Sequence, residues 1–231
     1  MKKSIKRGIL VVVCLFSLLL CSCEDQKQEN RDTKGDQQSE EKVTQGMVIK
    51  GKTDDGVTYQ YNKVTATLTV SGKIINGVDV DYWEEKDEIP WGKWRDDAKE
   101  LILEEGVECV TGSAFREFTN LENIVFPDTL KKIGSDAFFD STTKIKTLEL
   151  PDSIEEIGEN AFALSLFFSD KGFEKIRLPK KLRIIRELAF DSQAMTSITI
   201  PENVESMEGY IFEDCLLLET VIIKSKKLKS I

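Results

Sequence analysis

Residues 147–162 read TLELPDSIEEIGENAF, and their reading decides the fold. Five carboxylates crowd into this stretch: Glu149, Asp152, Glu155, Glu156 and Glu159. Acids held together in a partly buried site do acid–base chemistry or hold hard cations. Taken alone, the stretch is a candidate site. Aligned on the proline that follows a short apolar alternation, it has companions: ELILEEGVECVTGSAF (100–115), NIVFPDTLKKIGSDAF (123–138), KIRLPKKLRIIRELAF (175–190) and SITIPENVESMEGYIF (197–212). Glu104 takes the proline slot in the first of these. A further copy opens at Leu218 and breaks off in mid-repeat at Ile231, with no C-terminal cap in view. Five full copies and one partial copy thus occupy 98–231.

Every copy follows one physical plan. The alternation before the proline reads as a short strand. Proline lacks an N–H, so it ends the strand's ladder at the same point each time. Apolar residues three and six after the proline, followed by Ala-Phe, read as a tight coil or helical turn. A unit this short cannot bury its own apolar face, so the copies must stack, each touching only its neighbours. Stacking predicts one buried column of Ile124, Leu148, Ile176, Ile198 and Val221 and a second of Phe115, Phe138, Phe162, Phe190 and Phe212. Upstream, TATLTVSGKIINGVDV (65–80) alternates and turns at Ser71-Gly72 and Asn76-Gly77. The fold class is an α/β solenoid of short stacked strands, preceded by a small β-rich N-terminal cap over 47–97.

Over 66–231 the chain resembles the BspA-type leucine-rich repeat family. The marks are I-x-I-P-D-x-(I/L/V)-x-x-I-G-x-x-A-F and the upstream DYW…PWGKWRDDAKELILEEGVECV. The resemblance implies a leucine-rich repeat solenoid. It also implies a secreted or surface protein, of which some relatives bind host proteins or other cells. The copy at 175–190 departs from the pattern, with Ile185-Arg186 in place of Ile-Gly.

The repeat recasts the carboxylates. Stacked strands lie about 4.8 Å apart, so residues at equal offsets become neighbours. Four after the proline slot come Glu108, Lys131, Glu155, Arg183 and Glu205, alternating in sign. Asp152 matches Lys180, and Glu149 matches Arg177. Opposed charges across strands contribute roughly 0.2–1 kcal/mol each, and like charges cost as much. The acids therefore read as a register-fixing ladder, with no catalytic residue and no metal site. The basic run KIRLPKKLRIIR (175–186) belongs to the same ladder. No cofactor is implied.

Three other features are candidates. Trp83, Trp91 and Trp94 lie just before the first copy, where an open solenoid end must be covered; the alternative is stacking on glycan rings. The insertion ALSLFFSDKG (163–172) carries Leu164, Leu166, Phe167 and Phe168, either tucked under the next turn or exposed as a contact surface. Cys109 and Cys215 fall several steps apart, too far for a disulfide. Cys215 reads as buried and Cys109 as lying beside Lys132.

The chain has 231 residues and a net charge of −9. Without Lys2, Lys3, Lys6 and Arg7 the remainder carries 28 basic and 41 acidic residues, a net −13, which opposes nucleic-acid binding. There is no histidine, so histidine-based triads and imidazole metal sites are absent. MKKSIKR and the apolar 8–20 form a signal peptide over 1–22. LCSC (20–23) resembles a bacterial lipobox, which makes Cys23 the lipidated first residue of the mature protein. Residues 23–46 are too polar to fold and read as a disordered tether. Glu24 and Asp25 resemble a Bacteroidota surface-export signal. The reading is a lipid-anchored protein of the bacterial outer membrane or cell surface, not an enzyme, that binds a protein ligand for adhesion. The alternative is a glycan-binding accessory lipoprotein.

Overall fold

The computed structural model describes residues 47–77, 89–142, 144–164 and 171–229. The described chain opens with β1 (Val48–Lys52), β2 (Thr58–Asn62), β3 (Thr67–Ser71) and β4 (Ile74–Asn76). Each copy then supplies one strand before its proline slot and one after it. These are β5 (Glu100–Leu103) and β6 (Cys109–Thr111), β7 (Asn123–Val125) and β8 (Lys132–Ile133), and β9 (Thr147–Glu149) and β10 (Glu156–Ile157). β11 (Lys175–Arg177) and β12 (Ile184–Ile185), then β13 (Ser197–Ile200) and β14 (Ser206–Met207), complete the full copies, and β15 (Thr220–Ile223) starts the last. The helix among the described residues is a single 3-10 turn, Gly92–Trp94. The leucine-rich repeat solenoid stands as expected, and its Ala-Phe segments are tight turns.

The two strand positions form different ladders. The post-proline strands, with β4 of the cap at one edge, make one unbroken parallel sheet, β4-β6-β8-β10-β12-β14. The pre-proline strands do not. The antiparallel β1-β2-β3 continues in parallel into β5 and β7, after which β9-β11 and β13-β15 form separate pairs. No strand pairing among the described residues joins β7 to β9 or β11 to β13.

The sequence spacing shows where this difference resides. From proline to phenylalanine every copy spans 11 residues, as in Pro127 to Phe138 and Pro179 to Phe190. From phenylalanine to the next proline the count varies, at 12, 13, 17 and 11. The post-proline strand therefore sits in the constant segment and the pre-proline strand in the variable one. Length alone does not choose the split, since β11 stays paired to β9 after the longest connection.

The constant segment builds the core. Phe115, Phe138, Phe162 and Phe190 are fully buried. Their rings and that of Phe212 stack face to face at 5.4–6.1 Å, tilted by 4–17°. Offset stacking at such separations adds about 0.5–1.5 kcal/mol per pair to the burial itself. The turns around each ring bend through left-handed residues two before and two after it. Ser113 and Glu117, Asp136 and Asp140, Asn160, Leu188 and Ser192, and Tyr210 and Asp214 have φ of 49–61°. Asp and Asn tolerate this region best among side-chain-bearing residues. These reversals interrupt the run of right-handed residues a helix needs.

The strand column is less uniform than the phenylalanine column. Leu148 and Ile198 are buried, Ile124 and Ile176 only half-buried, and Val221 is 42% exposed. Ile124 and Ile176 sit on β7 and β11, one lip of each split, while Leu148 and Ile198 on the opposite lips, β9 and β13, stay buried. Val221 lies on β15, which has β13 on one side and no strand among the described residues on the other.

A buried polar column completes the wall. Ser141, Gln193 and Cys215 each lie three after their phenylalanine, and each donates a hydrogen bond to the main-chain carbonyl of the preceding copy's phenylalanine. Ser141 Oγ reaches Phe115 O, Gln193 Nε2 reaches Phe162 O at 2.6 Å, and Cys215 Sγ reaches Phe190 O at 3.1 Å. Ser141 Oγ and Gln193 Oε1 also accept from the amides of Phe118 and Phe173, at 3.0 and 3.1 Å. These side chains satisfy main-chain groups that a dry interior would otherwise leave unpaired.

Candidate protein-binding surface

The charge ladder has the expected register and two further rungs. Main-chain hydrogen bonds of 2.8–2.9 Å run from Lys131 to Glu108, Glu155 to Lys131, Arg183 to Glu155, Glu205 to Arg183 and Lys229 to Glu205, and from Glu108 to Lys73. The series Lys73, Glu108, Lys131, Glu155, Arg183, Glu205, Lys229 alternates throughout. Glu108 pairs with Lys131 at 3.0 Å and Lys73 at 3.8 Å, and Glu205 with Arg183 at 3.0 Å and Lys229 at 3.2 Å. Glu155 makes no ion pair within 4 Å among the described residues, although Arg183 feels its charge. Lys73 and Lys229 escape an alignment on the proline slot because their copies are shorter by two residues and longer by one. Hydrogen bonds from Arg183 and then Lys229 hold the Glu205 carboxyl down at about 2.

Asp152 is clamped from the next copy. Lys180 Nζ lies 2.9 Å away and Arg177 Nη1 2.6 Å away, and the Lys180 amide also donates at 3.2 Å. These bonds, Lys180's first, keep the carboxyl well below the usual carboxylate range. Arg177 therefore serves Asp152 and donates to Leu150 O at 2.7 Å, although its register partner is Glu149. Arg186, the departure from the Ile-Gly pattern, bridges Glu156 at 2.8 Å and Glu208 at 2.7 Å, while Lys132 reaches Glu156 at 3.2 Å. Gly158 precedes Arg186 in the ladder, and a Cβ on it would come within 2.5 Å of Gly134 main chain. Three of the five acids of 147–162 are thus accounted for by register, and no group of three or more metal-ligating side chains occurs among the described residues.

Trp91 and Trp94 close the solenoid. Trp91 and Trp94 are 1% and 5% exposed. Trp91 stacks on Phe115 at 6.0 Å, heading the phenylalanine column, and its Nε1 donates to Ala114 O at 2.8 Å. Trp94 stacks on Tyr61 at 4.6 Å, and Tyr59 packs against both indoles. Tyr59 also covers Gly51, its register partner, where a Cβ would meet the ring. Neither indole keeps a face for a sugar ring. Trp83 lies outside the described residues. Of the insertion, Leu164 is 1% exposed and so turned inward rather than presented as a contact, because it packs beside Gly172. Leu166, Phe167 and Phe168 lie outside the described residues, as does Cys23. Cys109 and Cys215 are free thiols. Burial pushes the Cys215 thiol up to about 11, and Cys109 sits across from Lys132 as expected.

The splits in the pre-proline ladder leave two clefts. The smaller, about 390 Å³, separates β7 from β9. The larger, about 840 Å³, separates β11 from β13. Its floor is Ile176, Leu178 and Ile198, and Lys175 and Lys224 stand among its cationic lining. Asn203 Nδ2 donates to Lys180 O at 2.9 Å and ties the copies together at the proline end.

Stacked short strands, a phenylalanine column and a buried polar column define a leucine-rich repeat solenoid. The BspA type leucine rich repeat region matches in 6 copies over residues 94–167 and 164–231, and the chain belongs to that family. The T. pallidum leucine rich repeat protein shares the fold at 21% identity and a TM-score of 0.51, over 77% of this chain and 79% of that one. A leucine-rich repeat protein from Bacteroides ovatus aligns at 24% identity and a TM-score of 0.45, over 74% of this chain and 52% of its own. A leucine rich cell surface protein from Faecalibacterium prausnitzii aligns at 17% identity and a TM-score of 0.46, over 77% of this chain and 55% of its own. No curated protein matches the chain in sequence.

Proposed function

We propose that the chain is a lipid-anchored protein of the bacterial surface whose solenoid is a non-catalytic module for binding a protein ligand. The use made of its polar residues supports this reading. Asp152, Glu156 and Glu205 are tied to cations of neighbouring copies, and Ser141, Gln193 and Cys215 to buried carbonyls. The chemistry-bearing side chains are spent on holding copies in register, and what is left over is an extended surface. The signal peptide and the lipobox-like LCSC place Cys23 as the anchor, and the polar tether after it gives the solenoid reach. Glycan stacking is not proposed, because Trp91 and Trp94 are consumed by the cap.

Two measurements test the parts separately. Cys23→Ser should move the protein from the membrane fraction to the soluble one; retention with unchanged mobility contradicts the anchor. The full chain should capture a saturable protein ligand from host matrix proteins or bacterial surface extract. Hydrolytic activity abolished by Glu155→Gln, with the fold intact, would contradict the non-catalytic role.

A further inference from the structure

We infer that the cleft between β11 and β13 holds an extended acidic segment of a partner protein, paired through its main chain. The inference rests on the protein-binding reading and gives it a place and a chemistry.

The first support is the main chain. Alternate residues of a strand direct both N–H and C=O to the same side. Thr196, just before β13, and Ile200 on it accept from Thr220 and Lys224, so this alternate set faces β15. Ser197 and Thr199 therefore turn their main-chain groups the other way, toward β11. On β11, the Lys175 amide donates to Lys146 O, so Lys175 and Arg177 face β9 and Ile176 faces the cleft. No main-chain hydrogen bond among the described residues crosses from one lip to the other. Unpaired strand edges recruit an extended chain, whose own amides and carbonyls match their spacing.

The second support is charge. The lining holds Lys175, Arg177, Lys180 and Lys224 against Glu174 and Glu202, on a chain of net charge −9. Asp152 neutralises Arg177 and Lys180, and Lys146 holds Glu174 at 3.2 Å. Lys175 and Lys224 make no ion pair among the described residues, and Glu202 is the lining's one acid in the same state. An extended segment sends successive side chains to opposite faces. Acids on one face meet Lys175 and Lys224 while small apolar residues on the other cover Ile176, Leu178 and Ile198. A nucleic acid has no such second face and is repelled by the rest of the chain.

The test is fluorescence anisotropy with the full chain and a labelled peptide of alternating Glu and Val. Saturable binding is expected, weakened at least tenfold by Lys175→Glu/Lys224→Glu and abolished when alternate peptide amides are N-methylated. Both lysines are exposed, so circular dichroism should show the double variant folded; the N-methylated probe works on the unaltered protein in any case. Equal binding of a Lys-Val peptide, indifference to N-methylation, or competition by heparin as strong as by unlabelled peptide would overturn the assignment. A protein ligand captured equally by parent and double variant would overturn the cleft and leave the protein-binding reading standing.

Discussion

The post-proline and pre-proline ladders are built from the same copies and behave differently. The post-proline strand lies within a segment whose length is the same in all five full copies, between the proline slot that stops one strand and a phenylalanine that stacks on its neighbour. Five such strands, with β4 of the cap, pair without interruption. The pre-proline strand follows connections of unequal length, and its ladder breaks twice. Both strand positions carry inward apolar residues, so hydrophobicity does not separate them. What separates them is whether packing on both sides of the strand repeats. A repeat protein can thus keep one wall uniform for stability while the other admits clefts.

The sharpest way to break this contrast is to remove one ring. Phe162→Ala, from the fully buried stack between Phe138 and Phe190, should cost about 3–5 kcal/mol in chemical denaturation. Ile176→Ala, on the half-buried lip of β11, should cost markedly less. Equal losses would mean that the two walls share the load.

Next in size is the buried polar column. Gln193→Leu leaves Phe162 O and the Phe173 amide without their partner in a dry interior. Each orphaned group costs about 1–3 kcal/mol, so a loss of that order is expected in the same denaturation experiment. A neutral substitution would show that the column is incidental.

Acid should loosen the charge ladder. The Glu205 and Asp152 carboxyls lie below their unfolded values of about 4.3 and 3.9. Groups depressed in this way stabilise the fold fully above the unfolded pKa and lose that contribution as pH falls through the folded one. Thermal stability should therefore decline from about pH 5 toward pH 2, and Asp152→Asn/Glu205→Gln should flatten that decline. An unchanged acid limb would remove the ladder from the stability balance. Both acids are solvent-exposed enough that the effect should be modest and sensitive to salt.

The smallest expected effect runs the other way. Tyr210 holds φ at 59° with a ring that is 68% exposed. Asn160 fills the equivalent position at 51°. Tyr210→Asn should stabilise by roughly 1 kcal/mol, since Asn tolerates the left-handed region and little packing is lost.

Much of this was legible in the sequence, for stated reasons. The phenylalanine column follows from a period that a single chain displays, and the order of the charged rungs follows from equal offsets. Lys73 and Lys229 were missed because counting from the proline slot assumes copies of equal length. The splits beside Ile124 and Ile176 were missed because alternation marks a strand without showing which neighbours it pairs with. Arg186 read as a flaw in the motif; its bridge from Glu156 to Glu208 depends on copies before and after it. Trp91 and Trp94 read correctly as cover for an open end, since large aromatics next to a solenoid terminus have a core to close.

The most direct test of the two-ladder contrast is amide hydrogen exchange. Gly158, Arg186 and Glu208 donate into the unbroken ladder at 2.7–3.0 Å. Ser197 and Thr199 face the cleft, with no main-chain acceptor among the described residues. We expect the first three to exchange only with global opening, and the last two at least about a hundredfold faster. Protection at Ser197 and Thr199 equal to that at Gly158 would contradict the split ladder.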